Sequence, residues 1–262
     1  MSLERKAETV LASRVGRYAE AAPAAPLGAH FLCVWTHRIP EDHTATIAVV
    51  PDGCVDLLWH EGGLAVVGPD VTAAHPDLRP GTTVLGLRFR PGAAARWLGL
   101  PLDEIVGSAV GLPDIWGRRA VEMADQLAET AGIGEQAVLL QRMLARMAAS
   151  IEAPDREGAA MFETLQGTAG AEGAGLMRLR RSLELSERTL RRRCHHLFGY
   201  GPKTLDRILR FQKVLSAARR KDNAGLAALA YATGYADQAH LSREIHALSG
   251  MTASEFVRQL SS

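Results

Sequence analysis

LSERTLRRRCHHLFGYGP (Leu185–Pro202) and ADQAHLSREIHALSGMTA (Ala236–Ala253) are two copies of one helical pattern. Each opens on a residue suited to an N-cap, Ser186 or Asp237, and closes on a glycine, Gly199 or Gly250. A shift of 51 positions lays Leu190 on Leu241, Arg192 on Arg243 and Leu197 on Leu248. Cys194 falls on Ile245 in the same register. In the first copy Leu190, Cys194 and Leu197 form the face that packs down, and in the second Leu241, Ile245 and Leu248 do. The expected reading helices span about 187–198 and 238–249.

A helix precedes each copy, with Leu176, Leu179 and Leu183 before the first and Leu226, Leu229 and Ala230 before the second. Each unit is therefore helix, tight turn, helix. PKTLDRILRFQKVLSAARRK (202–221) joins them as an amphipathic helix with Leu205, Ile208, Leu209, Gln212, Leu215 and Ala218 on one side. Its length is about 28 Å. One turn of duplex DNA is about 34–36 Å, so such a connector sets two reading helices in successive major grooves.

The charge follows the same division. From Gly175 onward 16 basic residues face seven acidic ones, a balance of +9 that leaves −8 for residues 1–174. A basic third beside an acidic remainder points to a polyanionic partner for the C-terminal part. The outward residues suit base edges: Arg bonds guanine in bidentate fashion, Gln bonds adenine, and Ala meets the thymine methyl.

These residues carry a resemblance. LSERTLRRRCHHLFGYGPKTL, ILRFQKVLSAAR and LAYATGYADQAHLSREIHALSGMTASEF resemble the DNA-binding domain of the AraC/XylS family of transcription regulators. The resemblance implies base-reading roles for Arg188, Arg191 and Arg192, and for Gln238, Ala239, His240 and Arg243; His195 and Ser242 complete the expected DNA-contacting set. Cys194 and Ile245 replace the family's usual phenylalanines, and Ala253 replaces a proline, so looser packing and a different start to the last helix are expected.

Upstream the texture changes to short apolar runs separated by turn residues. FLCVWTH (31–37), TATIAVV (44–50), CVDLLWH (54–60), LAVVG (64–68) and TVLGLRFR (83–90) read as strands. Hairpins are expected at Pro51-Asp52-Gly53 and Glu61-Gly62-Gly63, whereas residues 4–18 read as polar and mildly amphipathic, with AAPAAP (21–26) breaking any helix there. Helices are expected from Pro91, from Pro101, and as a pair between Pro113 and Ile151 broken at Gly132-Ile133-Gly134. Ala153-Pro154 marks a boundary, a helix spans Asp155 to Leu165, and GTAGAEGAG (167–175) is a loop.

The fold class expected is α+β. An antiparallel β sandwich or barrel with a helical pair (1–152, strands about 31–90, helices about 91–151) precedes an all-α domain (153–262). VPDGCVDLLW (50–59), VVGPD (66–70) and GLRFRPGAAARWLG (86–99) resemble the cupin-like sensing domains of a subgroup of the same family, which implies ligand sensing and self-association through the helical pair.

Ligand-site candidates are Trp35, His37, Asp56, Trp59, Arg88 and Arg90. Asp56 within CVDLLW either faces a pocket or supports a turn. Arg88 and Arg90, on one strand face, bind an anion or pair with acids, and Cys33 and Cys54 can meet across neighbouring strands. His30, His37, His43, His60 and His75 lack metal-binding spacing, so neither metal nor cofactor is expected. With no apolar run of about 20 residues and no signal segment, a cytoplasmic, non-membrane protein is expected.

The implied partners are double-stranded promoter DNA, a small-molecule effector, RNA polymerase and a second copy of the chain. The competing class is a metal- or cysteine-dependent cupin-type enzyme or an alkylation-repair protein fused to the DNA-binding module.

Overall fold

The structure is a computed structural model that describes residues 8–61, 63–154, 156–169, 174–220 and 225–261. Its N-terminal part contains β1 (Thr9–Leu11), β2 (Arg17–Ala21), β3 (Phe31–Arg38), β4 (Thr46–Ala48), β5 (Asp56–His60), β6 (Gly63–Val67) and β7 (Thr83–Phe89). After α1 (Ala94–Leu98) and a 3-10 turn over Leu102–Glu104 comes β8 (Ala109–Gly111). Three helices follow: α2 (Leu112–Trp116), α3 (Arg118–Ala128) and α4 (Ile133–Ala148).

Six strands form one antiparallel sheet in the order β2-β3-β7-β5-β6-β8, while β1 and β4 pair in parallel beside it. Two strands thus arise where no strand pattern is legible, in residues 9–11 and 17–21. Arg17–Ala21 is exposed along its length, and an edge strand exposed throughout shows no alternation of apolar and polar residues. The Pro51–Gly53 hairpin does not form, because β4 turns to β1 and β5 pairs with β6 and β7. The hairpin after His60 does form, with His60 opposite Gly63.

The register divides the sheet by face. Leu57, Leu85, Leu87, Phe89 and Trp59 point to the helices, where they meet Trp97, Leu127, Leu140 and Leu144 in one buried cluster. Phe31 stacks on Phe89 with ring centroids 4.5 Å apart, and Trp97 sits edge-on 5.0 Å from Phe31. Truncating a side chain as fully enclosed as Leu85 costs about 2–5 kcal/mol.

The C-terminal part is helical: α5 (Arg156–Thr168), α6 (Ala174–Ser182), α7 (Glu187–Phe198), α8 (Pro202–Arg219), α9 (Leu226–Ala232), α10 (Gln238–Ser249) and α11 (Ala253–Ser261). The loop expected at 167–175 is shorter than its composition implies, since α5 runs to Thr168 and α6 starts at Ala174; residues 170–173 lie outside the described residues, as do Asp155, Gly62 and Lys221. Helix α8 is the axis of this part. Besides Leu205, Ile208, Leu209 and Leu215 it buries Phe211 and Val214, because helices pack on several of its sides. Helix α11 starts at Ala253 without a proline. A reciprocal cap replaces it: Glu255 N donates to Thr252 Oγ1, and Thr252 N donates to the Glu255 carboxylate. These bonds hold the Glu255 pKa below its ordinary value.

Among the described residues the two parts share several contacts. Leu11 N donates to Gln259 Oε1 at 2.8 Å, and Gln259 Nε2 donates to Thr9 O at 2.9 Å. Ala73 N donates to Leu248 O, at the end of α10, at 2.8 Å. Gln212 Nε2 on α8 donates to Pro51 O at 2.6 Å. Gly199, the left-handed C-cap of α7, is pressed so closely that a β-carbon there would lie 2.6 Å from Pro69 Cγ.

Candidate nucleic-acid interface and sensing face

Both reading helices are set by the same local chemistry. Ser186 Oγ accepts from Thr189 N at 3.2 Å, and Asp237 Oδ1 accepts from His240 N at 2.6 Å. Each helix then ends on a left-handed glycine, Gly199 or Gly250. Leu190, Cys194 and Leu197 are buried beneath α7, as are Leu241, Ile245 and Leu248 beneath α10. Cys194 and Ile245 are fully enclosed, so these smaller side chains leave neither helix exposed beneath. Burial pushes the Cys194 thiol up to about 12.

The outward faces hold most of the expected DNA-contacting residues. Arg188, Arg191 and Arg192 are exposed on α7, with His195 half-buried behind them. On α10 Gln238, Ala239 and Arg243 are exposed. His240 is turned inward, its ring edge-on to Tyr235 at 5.2 Å, and Ser242 Oγ donates to Gln238 O within its own helix. Arg207 of α8 pairs with Glu244 of α10 at 2.7 Å and fixes the second reading helix to the connector. That pair escapes sequence reasoning because its members lie 37 residues apart.

A cleft of about 660 Å³ runs along α7, lined by Glu187, Arg188, Arg191, Arg192, His195 and His196 on one side and by Pro101 and Asp103 on the other.

The second candidate surface is the sheet face turned away from the helices. The register stacks three rows on it: Tyr18, His37 and Val84; Glu20, Trp35, Gly86 and Leu58; and Cys33, Arg88 and Asp56. Trp35 Nε1 donates to Asp56 Oδ1 at 3.0 Å. Arg88 grips Asp56 with two nitrogens, at 3.2 and 3.0 Å, and its Nη2 also reaches Asp52 at 3.2 Å. Burial works against the Arg88 charge, but Asp56 and then Asp52 outweigh it and raise its pKa. Arg88 therefore pairs with acids, and Asp56 is a bonded member of the network.

Of the expected ligand-site residues, Trp35, Asp56 and Arg88 come together. His37 lies on the same face, buried, with its Nε2 2.6 Å from Val15 O. Trp59 is in the core on the opposite face, because it pairs with Leu85 and Leu64. Arg90 does not share a strand face with Arg88: β7 ends at Phe89, and Arg90 Nε donates to Gly28 O at 2.7 Å. Cys33 and Cys54 do not sit on neighbouring strands either, since β7 runs between β3 and β5. Burial raises the pKa of both thiols, which disfavours the thiolate a reactive cysteine needs. Tyr18, Glu20 and Asp52 join this face unforeseen. Tyr18 lies 5.9 Å from the Trp35 ring and donates to Glu20 Oε2 at 2.9 Å.

Residues 179–259 match a family described as a helix-turn-helix domain, and residues 19–111 match one described as a domain of unknown function (DUF6597). No curated protein matches the chain. Among solved structures, ToxT from Vibrio cholerae O395 is 11% identical with a TM-score of 0.46, covering 86% of this chain and 96% of that one. ToxT bound to (E)-4-(8-methylnaphthalen-1-yl)but-3-enoic acid is 10% identical with a TM-score of 0.48, covering 86% and 98%. Unsaturated fatty acid bound wild-type ToxT from strain SCE256 of the same organism is 12% identical with a TM-score of 0.45, covering 88% and 96%. The duplicated, identically capped unit and the matched helix-turn-helix family together identify the C-terminal part as a double helix-turn-helix domain of the AraC/XylS type, and the chain is a DNA-binding transcription regulator.

Proposed function

We propose that α7 and α10 enter successive major grooves of a promoter, and that the sheet face around Trp35, Asp56 and Arg88 receives a small-molecule effector. The observation that carries this reading is the pair of matched helices, each capped at both ends, sunk on its apolar side and presenting arginine outward. Arg188, Arg191, Arg192 and His195 supply guanine and phosphate contacts, while Gln238, Ala239 and Arg243 read a more mixed sequence; His240, packed on Tyr235, and Ser242, bonded to Gln238 O, support them from within the helix. The first helix supplies most of the counterion release, so its variants have the larger effect on the salt slope.

The division at 152/153 separates a sensing part from a reading part. Each has its own buried cluster, although Leu11 and Ala48 of the first part pack with the second. A second copy of the chain pairs along α4, where Val138 stands 56% exposed. RNA polymerase is the downstream partner of a regulator acting on bound promoters. The protein works where the DNA is, in the cytoplasm, and performs no catalysis; no described helix is long and apolar enough to cross a membrane.

Binding to promoter fragments selected from a genomic library tests the reading. Arg192→Ala with Arg243→Ala is expected to weaken binding by about 100-fold and blur sequence preference. Unchanged affinity and preference would show that these helices do not read DNA. A metabolite screen by thermal shift tests the effector: a ligand at 100 times its Kd adds about 2.7 kcal/mol.

A further inference from the structure

The first reading helix does not stand free. Its C-terminal end is seated on the N-terminal part: a β-carbon on Gly199 would lie 2.6 Å from Pro69 Cγ, 2.7 Å from Val106 Cγ2 and 3.0 Å from Leu102 O. Phe198 and Tyr200, on either side of that glycine, are buried. From this seat the turn Leu102–Glu104 rises beside the helix and forms the far wall of the cleft that the α7 arginines line. Asp103, which lines that wall with Pro101, and its neighbour Glu104 are both exposed. Leu102 beneath them is buried, which holds the turn in place.

We propose that the Leu102–Glu104 turn is an acidic lip that opposes entry of DNA at α7 while the two parts are docked. The proposal rests on the reading that α7 enters a major groove. A helix in that groove, which is about 12 Å wide, is flanked by a sugar-phosphate backbone on each side. One backbone must then run between α7 and the lip, past Asp103. DNA carries one negative charge per about 1.7 Å of its axis, and charges closer than the screening length of about 8 Å at physiological salt still repel one another. Phosphates drawn in by Arg188, Arg191 and Arg192 therefore meet like charge from the opposite wall. The same arginines that attract the duplex lie within a cleft whose other wall repels it, so DNA engagement and the seated position of Gly199 disfavour each other. A signal that loosens the contacts of Gly199 with Pro69, Leu102 and Val106 raises DNA affinity at the first unit without touching the arginines.

The test uses the full chain and a mixed-sequence duplex about three helical turns long. Kd is measured by fluorescence anisotropy at about 50 mM and about 500 mM salt. Asp103→Lys with Glu104→Lys is expected to tighten binding about fivefold or more at low salt, with the gain vanishing at high salt. Asp103→Asn with Glu104→Gln gives a smaller gain in the same direction. Asp125→Lys with Glu129→Lys, the same charge change on the α3 surface, calibrates the nonspecific attraction. Arg188→Ala with Arg192→Ala must weaken binding. If the lip variants gain no more than the α3 control while the arginine variant loses affinity, the lip is overturned and the α7 reading stands. If the arginine variant binds as tightly as the parent chain, the α7 reading fails and the lip with it.

Discussion

Trp35 lies flat across Gly86: a β-carbon at Gly86 would fall inside the van der Waals envelope of Cε2, Cζ2 and Nε1 of the indole. The glycine is thus the floor on which Trp35 rests while it donates to Asp56. Gly86→Ala is expected to lift the ring, break that hydrogen bond and destabilise the fold by about 1–3 kcal/mol. Trp35→Phe with Gly86→Ala does not restore stability, because the smaller ring still covers the same spot. Urea unfolding of the three proteins checks both statements, and an unchanged midpoint for Gly86→Ala refutes the first.

Asp70 carries the clearest pH signature. Burial, followed by the nearby Asp52 and Asp56 charges, raises its pKa to about 6 from an ordinary value of 3.8. A carboxyl raised on folding adds stability that is complete below about pH 4 and is lost as pH climbs through about 6. Asp70→Asn is therefore expected to gain about 1 kcal/mol at pH 7, after allowance for solvent screening, and to flatten the pH 4–6 slope. Tm against pH for the two proteins decides it. The same corner holds the buried Tyr200 hydroxyl, which has no hydrogen-bond partner among the described residues.

The Arg207–Glu244 pair ties the connector to the second reading helix at 2.7 Å, with the glutamate side chain 17% exposed. Glu244→Ala leaves a half-buried guanidinium unpaired, and a loss of about 1–3 kcal/mol is expected. The variant Arg207→Met with Glu244→Leu recovers most of that loss. Its DNA binding reports whether the pair also positions α10: a stable double variant with weakened binding says that it does.

The self-association proposed along α4 has a charge pattern that can be inverted. In an antiparallel pairing of two α4 helices centred between Val138 and Leu139, Glu135 of each copy faces Arg142 of the other. These four residues line one surface depression together with Thr130 and Gly134. Glu135→Arg is expected to weaken the dimer about tenfold or more, and E135R/R142E to restore it. Sedimentation equilibrium measures both, and a dimer indifferent to the first change places the contact elsewhere.

Local patterns were legible wherever one side of an element is buried and the other is wet. The α7 and α10 boundaries follow from Ser186, Asp237, Gly199 and Gly250 because caps are made by neighbouring residues. The central strands β3, β5, β6 and β7 are equally visible in their apolar runs. Arg17–Ala21 is not, since an exposed edge strand leaves no pattern of burial to read. The role of Asp52 was hidden because its partner Arg88 lies 36 positions away, across a turn that resembles a hairpin and is not one. Trp59 illustrates the opposite failure. An aromatic in a motif draws attention as a ligand contact, yet strand parity alone sends it to the core.

The hydrogen bond from Ala73 to Leu248 gives the N-terminal part a grip on the second unit as well as on the first. With Gly199 held at one end and Leu248 at the other, the N-terminal part sets the spacing of the two helices while the two parts are docked. If α7 and α10 read DNA as proposed, a change in the N-terminal part alters which spacing between half-sites they fit, so that one protein in two states selects two sets of promoters.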